Sequence, residues 1–202
     1  IAEAAPDKTA IVWCNTENES HTFSFADIRA CSNRMANVFL CAGLKRGSRV
    51  MVVLKRHYEY WFAAIALHKL GVTMIPATHM LTVNDYVYRL QALKADAVLC
   101  TWQNEVPEKI QAALERIDEN KKTTKLWCVQ KEVRGFRNLT KEMQEEDLAE
   151  AGQYHGKIDD YHDLIMREDL HYYPEIEKFK GIHTGQRCFI VATGPSLRME
   201  DL

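Results

Sequence analysis

Long apolar runs are missing from this chain. No stretch approaches the roughly 18 residues that a membrane-crossing helix needs. The opening IAEAAPDKTA also has no basic-then-apolar layout of a secretory signal. A soluble, cytoplasmic protein is therefore expected. An excess of one charge is missing too: 26 Lys and Arg against 28 Asp and Glu give a net charge of -2. Such a balance leaves no footprint for nucleic acid or an anionic membrane, and neither is expected as a partner. Cys14, Cys31, Cys41, Cys100, Cys128 and Cys188 form no C-x-x-C pair and no short-spaced cluster. They read as buried free thiols in a reducing compartment rather than a disulfide framework or a zinc site. Also absent are H-E-x-x-H, G-x-S-x-G, G-x-G-x-x-G and G-x-x-x-x-G-K-[ST]. Their absence leaves no zinc-protease helix, no nucleophile elbow and neither of the two common phosphate loops. No catalytic residue and no metal ligand is assigned.

What is present is a core-forming composition, 47% hydrophobic over 202 residues, ample for a packed domain. The stretch from Gly43 to Thr101 sets the architecture. Arg49 to Leu54, Val72 to Ala77 and Asp96 to Cys100 are short apolar, β-branched runs without polar alternation, the pattern of parallel strands covered on both faces. Between them lie a helix over Tyr58 to Leu70, apolar on nearly every side and expected to be largely buried, and one from Thr82. Thr82 and Asp85 have capping-box spacing, and Val83, Tyr86, Val87, Leu90 and Leu93 form one stripe. The fold class is α/β, a mostly parallel sheet with helices on both faces.

Before that unit, Asp7 to Cys14 and His21 to Phe23 read as an N-terminal β-hairpin. Ser24 caps a helix with Asp27 at the box position, Phe25, Ile28, Ser32, Met35, Phe39 and Ala42 share a face, and Gly43 closes it. After it come a helix over Val106 to Asp118 with Pro107 in its first turn, a strand over Lys125 to Gln130, and a short charged helix over Asn138 to Leu148. Residues 149–157 lapse into glycine and polar residues and read as a junction. The segment 158–202 reads as an aromatic-rich helix, then a buried strand entering a glycine turn. The chain begins at Ile1 without a methionine and stops at Leu202 where a helix is starting. A piece of something longer is expected.

Gly194, Pro195 and Ser196 follow the carboxyl end of that last strand. They can be read as a nucleotide-phosphate cradle, since a glycine lets backbone N–H groups approach and a helix amino terminus adds partial positive charge. They can equally be an ordinary strand-to-helix turn with Ser196 as N-cap. Lys55, Arg56 and His57 stand where ligands bind in parallel sheets, though a solvated loop explains them as well. His68 reads as a packing residue and His79 as a minor site candidate. His155, His162, His171 and His183 are too scattered for a metal site, and the adjacent Asp159 and Asp160 diverge on a helix. Glu142, Glu145, Glu146 and Asp147 read as a solvated helix face.

The segments APDKTAIVW, TFSFADIRACSNRMANVFLCAGLKRGSRVMVVLKR, YWFAAIALHKLGVTMIPATHMLTVNDYVYR and KLWCVQKEVRGFRNLTKEM occur in this order. Through them residues 1–148 resemble the N-terminal subdomain of AMP-forming acyl-CoA synthetases, of the acetyl-CoA or medium-chain type. The resemblance implies an adenylate-forming ligase that joins a carboxylate to coenzyme A with ATP and Mg, its partners being a small-molecule carboxylate and CoA. The family's phosphate loop, T-S-G-T-T-G-x-P-K, has no counterpart in the sequence. No cofactor and no ligase activity are therefore expected of this chain alone, and no adenylation residue carries over. Residues 158–202 resemble the start of a second α/β domain. It is similar to a motility-associated glycosyltransferase or hydroxymethylpterin-pyrophosphokinase-like family, with Thr193-Gly194-Pro195-Ser196-Leu197 at its phosphate turn. That resemblance implies a nucleotide-sugar transferase or pyrophosphokinase as the rival function. A noncatalytic interaction module is the third reading.

Overall fold

The computed structural model describes residues 2–117 and 124–145. The chain opens with β1 (Thr9–Cys14) and β2 (Ser20–Ser24), an antiparallel hairpin. It then runs α1 (Phe25–Cys41), β3 (Arg49–Val53), α2 (Glu59–Lys69), β4 (Thr73–Pro76), α3 (Val83–Leu93), β5 (Ala97–Cys100), α4 (Val106–Arg116), β6 (Lys125–Cys128), β7 (Arg137–Asn138) and α5 (Leu139–Glu145). Strands β3 to β7 make one five-stranded sheet in the order β4-β3-β5-β6-β7, every pairing in it parallel. The expected fold class is what is found.

The sheet has two apolar faces because its strands point successive side chains to opposite sides. In register, Val50 lies beside Ala97 and Val52 beside Leu99, while Leu99 in turn faces Trp127. These join Met35, Phe39, Phe62, Leu67 and Leu139 in one core, between the sheet and α1, α2 and α5. Met51, Val53, Val98, Cys100 and Cys128 point the other way, onto Tyr86 and Leu90 of α3 and Ile110 and Leu114 of α4. Each buried Val, Leu, Ile, Phe or Met among them contributes about 1.5–3 kcal/mol by leaving water.

Both expected capping boxes form. The Ser24 hydroxyl accepts from Asp27 N–H at 3.1 Å, and Asp27 Oδ2 accepts from Ser24 N–H at 2.8 Å. Thr82 and Asp85 repeat the arrangement. Gly43 follows α1 at φ +84°, a conformation open to glycine at little strain. Two expectations are corrected. Helix α2 is not buried all round, since Trp61 is 53% exposed and His68 lies on the exposed side. The strand after Lys125 ends at Cys128 instead of Gln130, because Gln130 turns to φ +65°. The two-residue β7 is too short to show any periodicity, and it extends the sheet beyond β6.

Candidate functional site

The chain leaves β3 for α2 on one face of the sheet and leaves β5 for α4 on the other. Strands β3 and β5 are neighbours, so the loops after them diverge and open a crevice at their carboxyl ends. That switch point is where parallel sheets hold ligands. Four residues that are not glycine stand at positive φ in the loops there: Arg56 (52°), Asn104 (59°), Glu105 (57°) and Gln130 (65°). Each such residue stores on the order of 1 kcal/mol, strain that tends to gather at functional sites.

The inner part of the crevice is polar and buried. His57, Glu59 and Thr101 are 7%, 2% and 0% exposed. His57 Nε2 lies 2.8 Å from Thr101 Oγ1, which also accepts from Gln103 N–H at 3.2 Å. Gln130 Nε2 donates to Glu59 Oε1 at 2.9 Å. The other carboxylate oxygen, Glu59 Oε2, is buried without a hydrogen bond and lies 4.0 Å from His57 Nδ1. Burial pushes Glu59 above the usual carboxylate range, against smaller opposing contributions from its own N–H, Gln130, His21 and Tyr58. Burial and then the Lys55 charge push His57 below the usual histidine value. Although 4.0 Å is within reach of an ion pair, both groups are driven toward their neutral forms. Burial, with Glu59 beside it, raises Tyr58 to about 12.

The outer part is an open groove of about 350 Å³ lined by His79, Met80, Asn104, Glu105 and Lys109. Lys55 Nζ donates to Asn104 Oδ1 at 3.2 Å and Lys109 Nζ to the Asn104 carbonyl at 3.0 Å. Lys109 also pairs with Glu105 at 3.7 Å. In the loops after β5 and β6, Lys131 sits 3.7 Å over the Trp102 ring, whose Nε1 is buried without an acceptor. Such a groove can bind a small polar ligand through lysine, histidine and amide groups. It does not fit a metal, because no group of three or more His, Cys, Asp or Glu among the described residues could hold one. Nor do the described residues build an ATP phosphate cradle. Gly43, Gly47, Gly71 and Gly135 all precede strands, at the opposite end of the sheet from the crevice.

Of the expected candidates, His79 lines the groove, Lys55 bonds to Asn104 in its wall, and His57 is buried against Thr101. The solvated-loop reading fails for His57, which the loop folds inward against Thr101. Arg56 stays exposed, and its carbonyl accepts from Trp13 Nε1 at 2.6 Å. Glu142 is not simply solvated, since it accepts from Trp127 Nε1 at 3.1 Å and from Arg137 Nε at 2.6 Å. Gly194, Pro195 and Ser196 lie outside the described residues, as do Glu146, Asp147, the junction 149–157, Asp159, Asp160, His155, His162, His171, His183 and the whole segment 158–202. Sequence reasoning missed Glu59, Thr101, Asn104 and Gln130. An acid in the otherwise apolar run Tyr58 to Leu67, and polar residues one to four places past a buried strand, were the available signals.

A family profile described as AMP-binding enzyme matches residues 1–170. The chain belongs to the AMP-binding enzyme family. Mouse acyl-coenzyme A synthetase ACSM3, mitochondrial, is 33% identical over 160 residues, 78% of this chain and 26% of that protein. The human protein of the same name is 37% identical over 95 residues, 46% of this chain and 16% of the relative. A benzoate CoA ligase from Burkholderia xenovorans LB400 superposes with a TM-score of 0.58 at 19% identity, over 71% of this chain and 26% of that one. A Brucella canis acyl-CoA synthetase gives 0.58 at 17% identity, over 69% and 25%. The two structures show a shared fold, and this AMP-binding chain spans a quarter or less of the curated human relative and of the Brucella canis chain. The family match runs on to residue 170, past the expected boundary at 157, and the relatives and structures above lend the glycosyltransferase-like reading of residues 158–202 no support.

Proposed function

We propose that this chain is the amino-terminal scaffold of an AMP-forming acyl-CoA synthetase, the crevice at the carboxyl ends of β3, β5 and β6 facing the reacting groups. The reaction of the complete enzyme would join a small carboxylate to CoA at the expense of ATP, with Mg. The observation that supports this most strongly is the family match across residues 1–170, together with polar burial and backbone strain at one end of the sheet. The inner His57, Glu59, Thr101 and Gln130 hold three strand ends in a fixed relation. The outer Lys55, His79, Asn104 and Lys109 offer donors to a polar ligand. The phosphate chemistry belongs to sequence with the T-S-G-T-T-G-x-P-K pattern, which these 202 residues do not contain.

Free thiols at Cys14, Cys31, Cys41, Cys100 and Cys128 support a reducing compartment. The names of the mammalian relatives place those proteins in mitochondria, so the mitochondrial matrix stands beside the cytoplasm as a location. No helix among the described residues is long and apolar enough to cross a membrane.

The test has two arms. Incubated with ATP, a medium-chain or aromatic carboxylate and CoA, the chain alone releases no pyrophosphate above background. A chimera in which residues 1–145 replace the matching segment of a complete acyl-CoA synthetase folds and forms thioester. Turnover by the isolated chain, or a folded chimera without activity, contradicts the proposal.

A further inference from the structure

The carboxylate of Glu59 is 2% exposed, one of its oxygens has no donor, and the neighbouring titratable group is His57, 4.0 Å away. The groups facing the pair come from each element packed around it. Lys55 lies in the same loop, Tyr58 at the start of α2, Cys31 on α1, His21 on β2, and the uncharged Thr101 and Gln130 after β5 and β6. None of these places a lysine or arginine against the Glu59 carboxylate. A buried negative charge in such a place is strongly disfavoured, whereas a carboxyl that keeps one proton between itself and an imidazole is not.

We propose that His57 and Glu59 form a one-proton latch that holds the loop between β3 and α2 against the ends of β5 and β6. With one proton in the pair, Glu59 Oε2–H can donate to His57 Nδ1, and His57 Nε2–H can donate to Thr101 Oγ1. Gln130 meanwhile donates to Glu59 Oε1. Every buried polar atom of the four side chains then has a partner once the 4.0 Å gap contracts. Losing that proton leaves a buried carboxylate with no lysine or arginine beside it. The loop then opens to let water reach it, and Lys55 moves with it, away from Asn104. Arg56 and Gln130, at φ 52° and 65°, flank the pair and release strain as the loop opens.

Burial raises Glu59 above its ordinary 4.5, so the folded state keeps a proton that the unfolded state has lost. The latch therefore weakens as pH rises through the folded value. His57 is lowered from 6.5, so the unfolded state binds the extra proton first and the latch also weakens as pH falls below 6.5.

Amide hydrogen exchange of residues 55–60, 101–103 and 130, corrected for intrinsic rates and followed from pH 4.5 to pH 9 in the unaltered chain and in Glu59→Gln, tests this. The variant keeps the Gln130 contact and has no proton to lose, so its opening should not rise with pH. Relative to it, the unaltered chain should open by up to about tenfold more for each pH unit between the ordinary carboxyl value of 4.5 and the titration of the folded carboxyl, and the difference should level off above that titration. Tyr58→Phe removes one of the contributions that lower Glu59, so it should keep the rise and move it to higher pH. A ratio of opening between the unaltered chain and Glu59→Gln that does not change with pH overturns the latch. The carboxyl carbon shift of Glu59, read in the unaltered chain, decides independently of any variant. A single titration above 4.5 where the rise in exchange levels off supports the latch, and a carboxyl that titrates at or below 4.5 overturns it.

Discussion

The two ends of the five-stranded sheet are built from different backbone chemistry. In the loops that enter strands, the left-handed positions fall mostly on glycine: Gly43 and Gly47 before β3, Gly71 before β4 and Gly135 before β7. Lys94, before β5, is the exception among the described residues. Contacts at this end are economical: Gly47 N–H donates to the Gly71 carbonyl at 3.0 Å, and Arg49 N–H to Asp96 Oδ2 at 2.7 Å. In the loops that leave strands, the same conformation is imposed on Arg56, Asn104, Glu105 and Gln130. Glycine would relax that backbone, so the side chains there have a use that outweighs the strain. The entering end relaxes its turns with glycine, whereas the leaving end keeps strained backbone and an unpaired carboxylate oxygen, which is what the proposed site calls for.

Substitutions can break or sharpen this contrast. The largest effect is expected at the layer both ends share. Trp127→Ala removes a fully buried ring that meets Phe39 edge-on at 5.2 Å and donates to Glu142, and should cost about 3–5 kcal/mol in chemical denaturation. At the leaving end, Thr101→Val keeps the shape but strips His57 Nε2 and Gln103 N–H of their shared partner, for about 1–3 kcal/mol. At the entering end, Gly71→Ala forces a Cβ onto φ +64° and should cost about 1–2 kcal/mol with no influence on ligand binding. The smallest effect carries the sharpest meaning. Arg56→Gly relieves φ 52° at an exposed residue whose bonded group is its carbonyl, and should raise stability by up to about 1 kcal/mol. A clear loss of stability there would mean that the side chain is structural and the contrast between the ends is mistaken.

Much of the fold was legible in the sequence. Apolar runs without alternation at Arg49 to Leu54 and Asp96 to Cys100 can be satisfied only by a sheet covered on both sides. Ser24 with Asp27, and Thr82 with Asp85, announce helix starts because a hydroxyl and a carboxylate three residues apart satisfy two free N–H groups. Strand β7 was not legible, since two residues carry no period. Nor was the exposure of Trp61, because an apolar helix in a piece of sequence says nothing about which of its sides has a neighbour. The site was half legible. The rule that ligands gather at the carboxyl ends of parallel strands pointed to Lys55, Arg56 and His57 but left a solvated loop as the other account, and Arg56 is indeed exposed. Glu59, Thr101 and Gln130 come together only when three strand ends lie side by side in the order β3-β5-β6, an order that local pattern does not carry.

The most direct measurement is turnover by the chimera bearing residues 1–145, with alanine placed at each end of the sheet in turn. Alanine at His79 or Lys109 should lower thioester formation by about tenfold or more, ~1.4 kcal/mol of transition-state stabilisation, at unchanged stability. Alanine at Lys45 or Lys94 should leave turnover as it was. Equal losses at the two ends, or losses confined to Lys45 and Lys94, would contradict the placing of the site at the leaving end.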